Sequence, residues 1–195
     1  MQLKEHKNNK KILVHACCAI CSGQPIKYLR ELGYEPIVYF FNPNIYPELE
    51  YLKRLDAQKK LCKDLGCELI IETYATELYK EVMTGYENHS EGSERCKRCF
   101  ELRLLKTVQK AKELKIDYYT TSISISPHKN FSVIKEIGKF FSDYYNIQFL
   151  DVDFRKKDGV LKTNKIADSL KLYRQGYCGC QASLKRNVVS IETKV

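Results

Sequence analysis

ILVHACCAICSGQPIKYLRELG, residues 12–33, decides the fold. Residues 12–16 are a short apolar run that ends at Cys17 and Cys18. Residues 22–32 then take helical spacing, with Ile26, Leu29 and Leu32 on one face. Pro25 is tolerated in a first helical turn, where its missing N–H costs nothing, and Gly33 can adopt the left-handed conformation that stops a helix. Strand, loop and helix follow one another, and the loop carries cysteines.

The unit recurs on the C-terminal side. Residues 36–41 (PIVYFF) read as a buried strand, and NPNIYP (42–47) is a loop whose prolines and asparagines prevent regular structure. A helix over 48–65 places Leu52, Leu55, Cys62 and Leu65 inward, with Gly66 at its end. Strand 68–74, a helix near 76–84 and the polar stretch ENHSEGSER (87–95) lead to a helix over 99–114, with Leu104, Val108, Ala111 and Leu114 inward. Strand 117–123, helix 131–144 with Ile134, Ile137, Phe141 and Tyr144, strand 147–152 and helix 161–174 complete the series.

Repeated βα units predict an α/β fold: a single-domain three-layer sandwich with a mainly parallel sheet, HUP/Rossmann-like. At 195 residues one domain is expected, with a basic N-terminal extension over about 1–10 and a C-terminal helix and CGC segment over about 161–184. No internal repeat, low-complexity tract or linker interrupts it. In such sheets ligands bind outside the carboxyl ends of the strands, where the CCxxC loop sits.

With 44% hydrophobic and 29% charged residues, the composition is that of a soluble globular chain. No apolar run approaches the roughly 20 residues of a membrane helix, and no apolar segment follows the N-terminal lysines, so a cytoplasmic protein with no membrane partner is expected. Lys plus Arg number 33 against 24 Asp plus Glu, a net charge of +9. The excess favours polyanionic partners through phosphate contacts, although a heat-adapted surface has the same look.

Nine cysteines in a reducing compartment point to metal or redox chemistry rather than structural disulfides. Cys17, Cys18 and Cys21 form CCxxC, Cys96 and Cys99 a CxxC, and Cys178 and Cys180 a CxC; Cys62 and Cys67 stand apart and read as small buried hydrophobes. A CxxC at a helix start lets two thiolates converge while the helix N-terminus lowers their pKa, and Arg95 and Arg98 add positive charge. With the Cys17–Cys18 pair, four sulfur ligands become available, enough for structural zinc or a 4Fe-4S cluster. The adjacent pair on a βα loop of a self-sufficient domain is unlike the paired knuckles of zinc modules. Cys178-Gly179-Cys180 is too short for a relaxed disulfide, so an oxidised pair would be easily reduced, as a catalytic dithiol should be; extra metal ligands or free thiols are the plainer alternatives.

His15 and His128 read as structural histidines. Asp153 and Arg155 follow a strand and belong on the cysteine rim if that strand is parallel; a solvated ion pair is the plain alternative. Basic Arg155, Lys156, Lys157, Lys162, Lys165, Lys185 and Arg186 lie near Tyr173 and Tyr177, a mixture suited to phosphates and unstacked bases.

Taken together, HACCAICS (15–22), FFNPNIYP (40–47), RCKRCFELRL (95–104), TTSISISPHKN (120–130), DFRK (153–156) and YRQGYCGC (173–180) resemble the QueH family of epoxyqueuosine reductases over about residues 12–184. Ile20 departs from the pattern, which usually has proline there. The resemblance implies two-electron deoxygenation of epoxyqueuosine to queuosine at the wobble position of tRNA, acting on the anticodon stem-loop. It implies a 4Fe-4S cluster on Cys17, Cys18, Cys96 and Cys99 and a redox-active disulfide between Cys178 and Cys180. It also implies an external electron donor and no cobalamin. On this reading the iron of the cluster, or an additional iron held by a cysteine and Asp153, acts as Lewis acid on the oxygen, and Arg155 neutralises the developing alkoxide. Two other functions share parts of the pattern. A PP-loop ATP-dependent tRNA-modifying enzyme would carry SGGxDS where this chain has HACCAICSG, and a non-catalytic zinc-stabilised RNA-binding module would need only the cysteine pairs.

Overall fold

The structure, a computed structural model, describes residues 10–184. Five strands, β1 (Lys10–His15), β2 (Tyr34–Phe40), β3 (Leu69–Ile71), β4 (Tyr118–Thr121) and β5 (Gln148–Phe149), form one sheet in the order β3-β2-β1-β4-β5. Every neighbouring pair is parallel. Six helices connect or follow them: α1 (Ala19–Glu31), α2 (Glu48–Leu65), α3 (Thr76–Met83), α4 (Glu94–Glu113), α5 (Phe131–Tyr145) and α6 (Gly159–Ser169).

Period-two alternation along the strands divides the core. Leu13, Ile37, Tyr39 and Tyr119 pack with Leu104 and Val108 of α4 and Ile134 and Ile137 of α5. Val38 and Phe40 turn to the other face, against Ile26 of α1, Leu55 and Leu61 of α2 and Ala167 of α6, with Ile12 and Val14 beside Leu29. The expected three-layer α/β architecture is present. It follows from strands apolar on both faces, which only helices on both sides can cover.

Element ends depart from expectation. The run read as strand 117–123 ends at Thr121 and turns into a short 3-10 helix over Ser122–Ile125, where the Thr121 hydroxyl accepts from the Ile123 N–H. Strand β3 is only three residues long, β5 only two, and the last helix stops at Ser169, not 174. Leu32, Leu52, Leu114 and Tyr144, read as core-facing, are exposed. Three of them sit at or near the ends of their helices, where the apolar period continues past the edge of the sheet that would cover it. Cys62 is buried as expected, while Cys67 is half-buried.

The chain winds outward from β1 through β2 to β3, then returns through α3 and α4 to place β4 on the other side of β1. The order reverses between β1 and β4, which opens a crevice at their carboxyl ends. The loop after β1 carries Cys17 and Cys18. Gly159, which opens α6, allows a tight passage there: a Cβ would meet the Phe154 carbonyl oxygen at 1.7 Å.

Candidate active site

At the crevice the Cys17 N–H donates to the Ser122 hydroxyl at 3.1 Å, joining the loop after β1 to the turn after β4. The Asn42 side-chain amide donates to the Ala16 carbonyl at 2.8 Å and fixes the loop from the other side. Cys18 is the extended residue that precedes α1, and Cys21 lies in its first turn, because α1 begins at Ala19, three residues earlier than the spacing suggested. The three sulfurs of Cys17, Cys18 and Cys21 lie within 4.8 Å of one another. Hydrogen bonds from the thiols of Cys18 and Cys21 hold the Cys17 pKa well below the ordinary range, while Cys18 is pushed up to about 12 and Cys21 also upward. The trio thus concentrates a thiolate and further sulfur donors at one point, which a metal cation would neutralise.

His15 lies beneath this loop, fully buried. Its Nε2 is 3.0 Å from the Phe41 carbonyl, which can only accept, so Nε2 carries the proton and Nδ1 accepts from the Thr121 hydroxyl at 3.0 Å. Burial lowers its pKa to about 3, so the ring is neutral and structural, as the sequence suggested. His128 is exposed and lines a cavity of about 110 Å³ together with Cys96.

Helix α4 begins at Glu94 rather than 99, so Cys96 and Cys99 both lie inside it, one turn apart. The Gly92 N–H points to the Cys96 sulfur at 3.3 Å. Burial pushes the Cys99 thiol up to about 11, opposed by Arg103, and the charges of Cys178, Cys180 and Cys96 act on it as well. Arg103 is buried and donates through Nε to the Cys99 carbonyl at 3.1 Å. Burial works against its charge, but negative charge at Cys99, Cys178 and Cys17 outweighs it. This arginine, one helical turn beyond Cys99, stands between all three cysteine groups. Sequence reading passed over it, although its i+4 spacing from Cys99 was visible.

After α6 the chain folds back over the crevice. The Gln175 side chain donates to the Cys18 sulfur at 2.9 Å. Arg54, buried in α2, donates from Nη1 to the Cys178 carbonyl and from Nη2 to the Tyr177 carbonyl, both at 3.0 Å, and pairs with Glu50 at 2.7 Å. The Tyr173 hydroxyl donates to the other Glu50 oxygen at 2.6 Å, and the Tyr177 hydroxyl to the Tyr46 carbonyl. Gly179 has φ 122, and a Cβ there would meet Arg54 Nη1 at 2.9 Å, so the CGC turn needs glycine for its backbone and for the arginine's approach. All nine cysteines are free thiols.

Arg54→Leu is expected to strip two carbonyls of donors and leave the Glu50 carboxylate buried without its cation, costing about 3–5 kcal/mol. A fall in melting temperature of roughly 10 °C or more should follow. Partial restoration by the double variant Glu50→Leu/Arg54→Leu would assign that share of the loss to the uncompensated Glu50 charge and the remainder to the two carbonyls, and an unchanged melting temperature in the single variant would contradict the expectation.

Cys178 lines a cavity of about 80 Å³ with Cys17, Cys18, Cys21 and Lys129, whose ammonium is 2.7 Å from Glu91 and, against burial, is held protonated by the negative charge of Cys178 and Glu91. Cys180 faces a different and larger cavity. Neither Cys96 nor Cys99 lines the smaller cavity. Asp153 and Arg155 lie on the same rim, because β5 is parallel, and bind each other twice at 2.7 Å; these bonds hold the Asp153 pKa down. They too lie outside the smaller cavity's lining. Lys185 and Arg186 fall outside the described residues, as does most of the N-terminal extension. Among the described residues no helix is long and apolar enough to cross a membrane.

A family model described as epoxyqueuosine reductase QueH matches residues 12–186. The epoxyqueuosine reductase QueH of Streptococcus pyogenes serotype M1 is 34% identical over 186 residues, covering 92% of this chain and 72% of its own. That of Dehalococcoides mccartyi is 35% identical over 172 residues, covering 87% and 90%. That of Thermotoga maritima is 34% identical over 176 residues, covering 89% and 90%. Among solved structures, the U34-tRNA thiolase NcsA from Methanococcus maripaludis with its 4Fe-4S cluster superposes with a TM-score of 0.55 at 17% identity, covering 91% of this chain and 62% of that one. At that identity the likeness is one of fold.

Proposed function

The chain belongs to the epoxyqueuosine reductase QueH family, and on that premise we propose that it removes the epoxide oxygen of epoxyqueuosine in tRNA with two electrons held by Cys178 and Cys180. The observation that carries this reading is the position of the CGC turn. Cys178 faces the cavity of Cys17, Cys18 and Cys21, and Cys180 faces the larger cavity beside it.

Three sulfurs within 4.8 Å, with Arg103 and Lys129 to balance negative charge, fit an iron–sulfur centre. We propose the ligands Cys17, Cys18, Cys96 and Cys99. Cys21 competes for one position, since its sulfur already lies with the first two. Bound there, an iron–sulfur cluster would pass electrons one at a time to the oxidised Cys178–Cys180 pair and so return it to the dithiol. The chain's own residues do the rest. Oxidation of Cys178 and Cys180 to a disulfide releases two electrons and two protons; the epoxide loses its oxygen as water and becomes the alkene, so the step balances. Lys129 Nζ, between Glu91 and Cys178, keeps a proton beside the dithiol. Asp153 would hold an additional iron through a free lone pair, since the Arg155 side chain takes one hydrogen-bonding position on each of its oxygens. An external donor re-reduces the pair, without cobalamin, in the cytoplasm.

Protein purified without oxygen should contain about four irons and matching acid-labile sulfide per chain. It should convert an epoxyqueuosine-bearing anticodon stem-loop to the queuosine form. One zinc without sulfide, and no conversion, would instead indicate the RNA-binding module.

A further inference from the structure

The larger cavity, of about 520 Å³, has a feature that the redox chemistry does not use. Arg95 lines it at 3% exposure, and Nε, Nη1 and Nη2 are all buried with no hydrogen-bond partner. A guanidinium remains protonated and presents five N–H donors, so burial without a partner is unfavourable. The other two buried arginines among the described residues differ: Arg54 pairs with Glu50, and Arg103 donates to the Cys99 carbonyl.

Arg95 neighbours Cys96 in sequence, but the two face different cavities, as consecutive helical residues must. Its charge is felt instead at Tyr79, together with the charges of Cys99 and Cys180. Three carboxylates also line the cavity, Glu77, Glu81 and Glu87, but all are exposed, and Glu77 is already paired with Lys80 at 2.7 Å. A second unpartnered atom, the Asn44 Oδ1, calls for a donor; Asn44 lines both this cavity and the smaller one. Tyr46 and Tyr79 add aromatic surface.

We propose that this cavity is a nucleotide subsite in which Arg95 binds a phosphodiester flanking the wobble nucleotide, Asn44 accepts from that nucleotide, and Cys180 forms the wall beside it. The volume lies in the range of pockets that enclose a small organic ligand, whereas the 80 Å³ cavity is too small for a nucleoside. Arginine matches phosphate in two-pronged fashion, and burial strengthens the contact. The proposal rests on the reading that the chain acts on tRNA and adds where the modified nucleotide is gripped.

Binding by fluorescence anisotropy tests it separately from turnover. A labelled anticodon stem-loop is compared with one in which the phosphodiesters on either side of the wobble nucleotide are neutral methylphosphonates. Wild-type protein should bind the neutral form about 10- to 100-fold more weakly, while Arg95→Met should bind both forms at that weaker level. Arg95→Lys keeps the charge and loses the fork, so it should fall between, and it carries the same test if the methionine variant does not fold. Equal losses on neutralisation in wild type and Arg95→Met, or no loss in either, would overturn the proposal. So would a fall in iron content with unchanged binding, which would assign Arg95 to the cysteine site. If the stem-loop binds with this pattern yet is never reduced, the subsite stands and the reductase reading fails.

Discussion

Cys178→Ser and Cys180→Ser are each expected to reduce multiple turnover by roughly 100-fold or more, while iron content and melting temperature stay near wild type. Serine keeps the shape of the side chain and removes its redox chemistry. The CGC turn is held through its backbone, by Arg54 on the Cys178 carbonyl and by the Tyr46 N–H on the Gly179 carbonyl, so the turn should survive either change. Alkylation followed by mass spectrometry should find Cys178 and Cys180 linked after turnover without added reductant, and free after reduction, because a two-residue separation gives a strained, readily reduced disulfide. Iron loss in either variant would make the pair a ligand set. Unchanged turnover would leave it without a redox role.

The second large effect concerns the iron. Cys17→Ala, Cys18→Ala, Cys96→Ala and Cys99→Ala should each lose most of the bound iron and sulfide, and with them turnover, whereas Cys21→Ala should keep both. The proximity of the Cys21 sulfur to Cys17 and Cys18 makes this a sharp comparison. Iron loss in Cys21→Ala with retention in Cys96→Ala would exchange one ligand for the other. Melting temperature should be recorded for Cys99→Ala, because Cys99 is the buried member of its pair and a void there has a packing cost of its own.

Much of this site was legible in local spacing. The apolar run 12–16 followed by helical periodicity put the CCxxC loop at a strand's carboxyl end, where the structure has it. Asp153 and Arg155, read as catalytic with a loop ion pair as the plain alternative, do form that ion pair at 2.7 Å. The start of α4 was missed because ENHSEGSER looks polar and irregular, yet the helix begins at Glu94, just after Ser93, and includes Arg95 and Cys96. Cys21 was seen in the motif but given no place, since only the early start of α1 turns it toward Cys17 and Cys18.

By itself the sequence determined the succession of βα units, the parallel sheet, the family and the residue types available for metal and redox chemistry, because these depend on periodicity and on neighbours a few residues away. Only the tertiary structure decided the strand order β3-β2-β1-β4-β5, which brings Ser122 to Cys17 and opens the crevice between β1 and β4. It likewise decided that Arg54 holds the CGC turn, that Arg103 stands among three cysteine groups, and that Arg95, alone of the three buried arginines among the described residues, lacks a partner. Burial and pairing of charge are set by residues far apart in the chain, which no local period encodes.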